Sequence, residues 1–406
     1  MRGRSPFAWP AVLLVLASCA ADQTSPPSTT PSTTSTPSSI AASSTSTDVV
    51  AAGSAGFPTA RFAGLGEEPV SDELAAELQE VLDASARGDG LTATLITPEG
   101  TWSGATGFAA GDRAMIPDDQ MGIASITKSL VAAQVMQLVE AGELGLDDPV
   151  ADRLPPGLEF DTNGATIVDL LSMRSGFPDT FDDAEEWERI WTDPLHAWTT
   201  DQVLATVGPE RGPVGQAWEY RGVNYNLLGL IIEHVTGRPL AEVLRDGVLD
   251  GDGYGRLIYQ PDEQPTDPMA LPLSASADTF DEIGGSLPSL AGATAFNAEG
   301  AMASDSPSLA RWWQRLCAGQ IVSAASLDEM TDFDKRPEYG LGIIDRRGEY
   351  GWDSGALGHT GAFDGGRLGR TLALCFPKEG IVVVVLANVD HDVDTAAGNL
   401  VQAAST

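Results

Sequence analysis

Positive charge is scarce in this chain. Its 406 residues hold 23 Lys and Arg against 58 Asp and Glu, a formal net charge of −35. A surface of that kind repels phosphate backbones and anionic headgroups, which argues against nucleic-acid binding and electrostatic membrane attachment. It reads as adaptation to salt or an acidic exterior, or equally as acidic drift of the whole sequence. Lysine is rarer still, with only Lys128, Lys335 and Lys378 present. Cysteine is confined to Cys19, Cys317 and Cys375, and histidine to His196, His234, His359 and His391. No group of these has metal-ligand spacing, so neither a metal nor another cofactor is expected. No apolar run reaches the length that spans a bilayer.

The first apolar stretch, Phe7 to Ala17, follows Arg2 and Arg4 and has signal-peptide length. It ends in Leu16-Ala17-Ser18-Cys19, which resembles the bacterial lipobox. Residues 1–18 are therefore expected to be a lipoprotein signal peptide, with a plain cleaved signal as the alternative. Acylated Cys19 then holds an exported protein at the outer face of the bacterial cell membrane. The acyl chains carry the anchoring, because a polybasic second signal is missing. Residues 19–50 include TSPPSTTPSTTSTPSS, which cannot bury a core and reads as a disordered tether. Residues 51–406 remain as the folded domain. In an oxidising compartment Cys317 and Cys375 are either bridged or two separate buried thiols.

Within that domain, residues 71–87 read as an amphipathic helix capped by Ser71 and Asp72. LTATLIT and TWSGATGF follow as strands around the turn Pro98-Glu99-Gly100. Residues 367–376 and 381–389 form a second strand pair around Pro377 to Gly380, and a helix near 393–403 closes the chain. Hairpins at both ends imply an antiparallel sheet flanked by the N- and C-terminal helices. Residues about 110–330 are expected to be an inserted all-helical subdomain. The fold class is thus mixed α/β, of the α+β kind.

The most informative stretch is Gly122-Ile123-Ala124-Ser125-Ile126-Thr127-Lys128. A helix starting near Ser125 puts its hydroxyl in the first turn, where free N–H groups and the helix dipole favour an oxyanion. Lys128, at i+3, shares that face. In apolar surroundings its ammonium is poorly solvated, so its pKa should fall and the free amine can take the Ser125 proton. Lysine where the chain otherwise uses arginine suggests that a titratable amine is required.

Here the sequence resembles the serine β-lactamase and penicillin-binding family, on the branch of class C β-lactamases, D-alanyl-D-alanine carboxypeptidases and related esterases. The resemblance covers roughly residues 75–390. It rests on the Ser125–Lys128 block, TIVDLLSMRSGFPD at 166–179, YRGVNYNLLGLIIEHVTGRPL at 220–240, GAMAS at 300–304, YGLGI at 339–343 and GHTGAFDGG at 358–366, in family order. It implies an antiparallel sheet and a helical subdomain with the site at their junction. It also implies that Tyr220, its pKa depressed by a nearby ammonium, relays a proton to the leaving group. Asn224 can cap the helix that follows, and Gly237 can end it. His359 and Thr360 lie on a strand edge facing the nucleophile, with a cationic or hydrogen-bonding His359 holding a substrate carboxylate. Gly361 lets substrate backbone approach that strand. The backbone N–H groups of Ser125 and Ala362 form the oxyanion hole.

One departure stands out. The family's second motif is usually Tyr-x-Asn, and here it is Tyr220-Arg221-Gly222. A carboxamide that contacts the lysine and the substrate's amide side chain is missing at Gly222, whose φ is open to positive values. The resemblance implies cell-wall peptides ending in D-alanine, β-lactams or small esters as substrates, and the missing carboxamide speaks against peptides and β-lactams and adds weight to esters. An esterase and a non-catalytic wall-binding relative stay open as alternatives. The segment from Phe181 to Trp198 is either a cover over the site or ordinary subdomain surface. Nothing in the sequence fixes an oligomeric state.

Overall fold

The computed structural model describes residues 56–66, 68–272, 280–348, 355–364 and 368–405. The signal segment, Cys19 and the Ser/Thr/Pro tract lie outside the described residues. Among the described residues no helix is long and apolar enough to cross a membrane.

The chain enters through α1 (Asp72–Ala86), capped by Ser71, whose hydroxyl accepts the Leu74 N–H at 3.2 Å. The hairpin β1 (Leu91–Thr97) and β2 (Gly100–Thr106) follows. A long excursion carries α2 (Thr127–Glu140), α3 (Ala184–Thr192), α4 (Val223–Thr236), α5 (Leu290–Phe296) and α6 (Ser306–Cys317). The chain then returns as β3 (Ile344–Asp345), β4 (Leu357–Ala362), β5 (Arg370–Phe376) and β6 (Ile381–Ala387), and closes with α7 (Val393–Ala403). The six strands form one antiparallel sheet in the order β2-β1-β6-β5-β4-β3. The two chain ends meet at β1 and β6, with Leu95 opposite Val383.

Both faces of this sheet are covered, so β1 and β6 are buried at every position and show no polar alternation. On one face Leu95, Leu374 and Val383 pack with Leu78 and Leu82 of α1 and Leu400 of α7. On the other, Ala373, Val382 and Val384 join the core built on α2, α4 and α6. Cys317, the last residue of α6, is disulfide-bonded to Cys375 in β5 and ties the excursion to the sheet.

The excursion is not purely helical. Met121–Gly122, Ile258–Tyr259 and Met302–Ser304 form a small three-stranded sheet whose first strand leads into the Ser125 turn. That sheet supplies backbone partners for the segment before Ser125, a task a helix cannot perform because its own carbonyls and amides are already used.

Candidate active site

Ser125 does not sit on a regular α-helix. It lies in a 3₁₀ turn, Ala124–Ile126, that leads into α2. Ala124 just before it has φ +48°, a left-handed conformation that a residue with a Cβ adopts only when its surroundings hold it. The hold is visible on both sides of Ile123. Its N–H donates to the Met302 carbonyl at 2.9 Å, and its carbonyl accepts the Thr371 hydroxyl at 2.9 Å. The Thr127 hydroxyl in turn accepts the Met302 N–H at 3.1 Å. Sheet and excursion therefore clamp the turn together.

α2 is buried on all sides from Thr127 to Met136, as expected of a helix enclosed by others. Lys128 is fully buried on it. Its Nζ donates to Ser125 Oγ at 3.0 Å, to the Glu299 carbonyl at 2.8 Å and to Glu299 Oε2 at 3.2 Å. It also stands 5.1 Å from the Tyr220 ring centroid and 5.9 Å from that of Tyr225.

No sequence motif points to Glu299, and its carboxylate reverses one expectation. Burial pushes the Lys128 pKa down, but negative partners outweigh it and hold the pKa above the ordinary lysine value. Of those partners the Glu299 carboxylate is the effective one, because the Tyr220 phenol stays protonated. The lowered lysine pKa expected from apolar surroundings is thus corrected: the surroundings contain a carboxylate. Burial, with the charge of Asp179, pushes Glu299 itself up to about 7 against the pull of Lys128. Asn226 of α4 donates to Glu299 Oε1 at 3.3 Å.

Gly222 explains why the carboxylate fits. It is the residue before α4, with φ −61°, so the positive φ left open for it is not used. A Cβ at this position would overlap Glu299 Oε2 and the carboxylate carbon. Gly222 therefore does not line a substrate surface; its missing side chain is replaced, from another part of the chain, by Glu299. Asn224 does not cap α4 either. It lies inside the helix, fully buried, with its Nδ2 donating to the Arg221 carbonyl at 3.0 Å. The cap comes from Asp179, whose carboxylate accepts the Val223 N–H at 3.2 Å. Gly237 ends the helix with φ +66°.

The Tyr220 hydroxyl lies in the buried surroundings of Ser125 and Lys128, while 36% of the residue stays exposed. Burial of the hydroxyl raises its pKa despite Lys128, which corrects the expected depression. The phenol is thus a neutral proton donor and acceptor.

His359 lies on β4 with 1% exposure. Its Nδ1 donates to the Thr360 carbonyl at 2.6 Å, which leaves Nε2 to accept the Tyr339 hydroxyl at 3.1 Å. Burial, with the Lys128 charge, lowers its pKa to about 3. Of the two forms expected, cationic or hydrogen-bonding, the buried ring is held in the neutral, hydrogen-bonding one, and it faces Tyr220 and Tyr339. A Cβ at Gly361 would meet the Ile123 carbonyl at 2.5 Å and the Ala124 Cβ at 2.9 Å, so its bareness lets β4 press against the Ser125 turn. Ala362, exposed at the end of β4, follows directly on that contact. Thr360 is half-buried on the same strand.

The aromatic segment 181–198 is packed rather than loose. Phe181 and Trp198 are buried edge to face, with ring centroids 4.9 Å apart. Trp187 and Trp191 of α3 lie 5.9 and 5.7 Å from Phe296 at the end of α5. Phe296 in turn stands 6.0 Å from Phe363, next to Ala362.

An antiparallel sheet with an inserted, mainly helical unit, and a buried Ser-x-x-Lys turn where they meet, defines the fold of β-lactamases and penicillin-recognising transpeptidases. A family model described as Beta-lactamase matches residues 77–406, and the chain belongs to that family. Among curated relatives, Penicillin-binding protein 4 of Amycolatopsis lactamdurans is 34% identical over 148 residues, 34% of this chain and 36% of that protein. Protein flp of Staphylococcus aureus (strain NCTC 8325 / PS 47) is 30% identical over 140 residues, 33% of this chain and 26% of that one. The matches thus span about a quarter to a third of these relatives' length. A D-stereospecific amidohydrolase from Streptomyces sp. superposes with TM-score 0.65 at 24% identity, covering 81% of this chain and 98% of that one. A D-amino acid amidase from Ochrobactrum anthropi SV3 gives 0.66 at 23%, covering 82% and 99%. At these identities the structures establish the shared fold.

Proposed function

We propose that this protein is an acyl-transferring serine hydrolase with Ser125 as nucleophile and small esters as preferred substrates. The observation that supports it most is the buried Lys128 Nζ at 3.0 Å from Ser125 Oγ. Ser125 Oγ attacks the substrate carbonyl carbon, and the carbonyl π pair moves onto oxygen between the Ser125 and Ala362 N–H groups. Lys128, as free amine, takes the Ser125 proton. Tyr220 gives its proton to the leaving oxygen or nitrogen and recovers one from Lys128. Water then repeats the attack on the acyl-enzyme and releases the acid.

Two features favour esters over peptides ending in a free carboxylate. The neutral His359 supplies no charge to hold that carboxylate. The polar group beside Lys128 is an acid engaged by Lys128 and Asn226, and not a carboxamide free to bind a substrate amide. Esters also have better leaving groups. A second reading, cleavage of D-amino acid amides, D-alanyl peptides or β-lactams, draws support from the names of the relatives. Hydrolysis rates on a nitrophenyl ester, a D-alanyl-D-alanine peptide, a D-amino acid amide and a penicillin decide between them. Faster turnover of the peptide, amide or penicillin than of the ester contradicts the preferred reading.

We also propose that the exported protein is held at the membrane by lipid on Cys19. The Leu16-Ala17-Ser18-Cys19 motif supports this. Full-length protein made in bacteria is expected in the membrane fraction, and Cys19→Ser in the soluble one. Equal partitioning of the two contradicts the anchor.

A further inference from the structure

We propose that Glu299 is the proton partner of Lys128, standing in for the side chain absent at Gly222, and that the pair gains and loses protons as one unit during acyl transfer. The proposal rests on the acyl-transfer reading above and assigns a residue outside its motifs.

The geometry is a short chain of contacts. Ser125 Oγ, Lys128 Nζ and Glu299 Oε2 follow one another at 3.0 and 3.2 Å. Both ends of the Glu299 side chain are engaged, with Asn226 Nδ2 on Oε1 at 3.3 Å. The pair is buried, with side-chain exposures of 0% for Lys128 and 10% for Glu299. A buried lysine without a counter-charge is costly, and one locked as an ammonium cannot act as a base. A carboxyl group at the same depth resolves both problems. With its proton on Lys128 the pair is an ion pair; with it on Glu299 the lysine is a free amine beside a neutral acid. Net charge is zero in either form, so the shift needs no ion to enter or leave. In the second form Lys128 accepts the Ser125 proton while Oγ bonds to the carbonyl carbon, and that proton passes through Tyr220 to the leaving group. Glu299 keeps its own proton throughout, so it acts through Lys128 as a positioning residue.

Other groups bear on the pair. Asp179 adds negative charge, and its effect raises the Glu299 pKa. Arg221 and Lys128 act on Asp179 in the opposite sense. Tyr220, whose ring centroid lies 5.1 Å from Lys128 Nζ, completes the titratable surroundings. Burial raises the Asp179 pKa against the charges of Arg221 and Lys128 and against its hydrogen bonds from the Val223 and Thr180 N–H groups, and Glu299 is the carboxyl raised to about 7.

The test is the pH dependence of kcat/KM on a nitrophenyl ester, for the native protein and Glu299→Gln. From the doubly protonated pair a proton can leave either group, so the pair begins to deprotonate at lower pH than Lys128 beside a neutral glutamine. The native profile is expected to rise and level off near pH 7. The Glu299→Gln profile should follow the same acid limb but keep rising, with its break displaced upward by about one unit or more. A purely structural role lowers activity at all pH values without moving the break. An unmoved break in a folded Glu299→Gln protein overturns the proposal. Native protein labelled with carbon-13 at glutamate carboxyls gives a second measurement that needs no variant. One carboxyl resonance titrating near pH 7 supports the proposal, and none outside the ordinary carboxylate range overturns it. If a fluorophosphonate fails to label Ser125 in native protein, the acyl-transfer reading itself fails; labelling with an unmoved break rejects the Glu299 role alone.

Discussion

The carboxylate of Glu299 occupies the space that a side chain at Gly222 would fill. The two positions are complementary: one lacks a side chain and the other delivers a polar group to the same point beside Lys128. Gly222→Asn alone should therefore destabilise the protein. The backbone at φ −61° accepts asparagine, so packing alone opposes it. Overpacking of this kind typically costs about 1–3 kcal/mol. Adding Glu299→Ala should recover much of that loss. Thermal melts of the two single variants and the double variant check this, and additive losses in the double variant reject the complementarity.

His359 makes the fold sensitive to acid. Its pKa is about 3 in the native state against 6.5 ordinarily, so between those values the unfolded chain binds more protons. Its contribution to stability is full above the ordinary value and is lost as pH falls toward 3. Glu299, raised from 4.5 to about 7, works in the opposite sense in its own window. His359→Gln keeps a polar partner for Tyr339 and removes the titration. The drop in melting temperature between neutral and mildly acidic buffer should be smaller in this variant. An equal drop in both proteins contradicts a neutral, buried His359.

The Cys317–Cys375 bridge closes a loop with a sequence separation of 58. By loop entropy alone, such a cross-link stabilises by roughly 4 kcal/mol. The Cys317→Ser/Cys375→Ser double variant should melt lower than the oxidised protein and match it after reduction. Peptide mapping that finds two free thiols in native, unreduced protein contradicts the bridge.

Some of this was legible in the sequence for a physical reason. Ser125 and Lys128 lie one turn apart, so their meeting needs only local geometry. The strands Leu91–Thr97 and Ile381–Ala387 read clearly because both faces are buried and turns bound them. Glu299 was not legible, because it reaches Lys128 across a separation of 171 residues and matters only where Gly222 leaves room. Its one signal was adjacency to the GAMAS block. The charge of His359 was hidden too, since it depends on burial by β4 and on Tyr339. The left-handed Ala124 gave no sign, because alanine ordinarily avoids that conformation.

The central claim is that Ser125 is the nucleophile and Lys128 its base. The most direct measurement is the rate and site of covalent labelling by a fluorophosphonate, read by intact-mass and peptide mass spectrometry. The account predicts one adduct, on Ser125, none in Ser125→Ala, and labelling of Lys128→Ala slowed by roughly 10²–10⁴-fold, the usual range for a lost general base. An adduct on another residue, or an unchanged labelling rate in a folded Lys128→Ala protein, would contradict it.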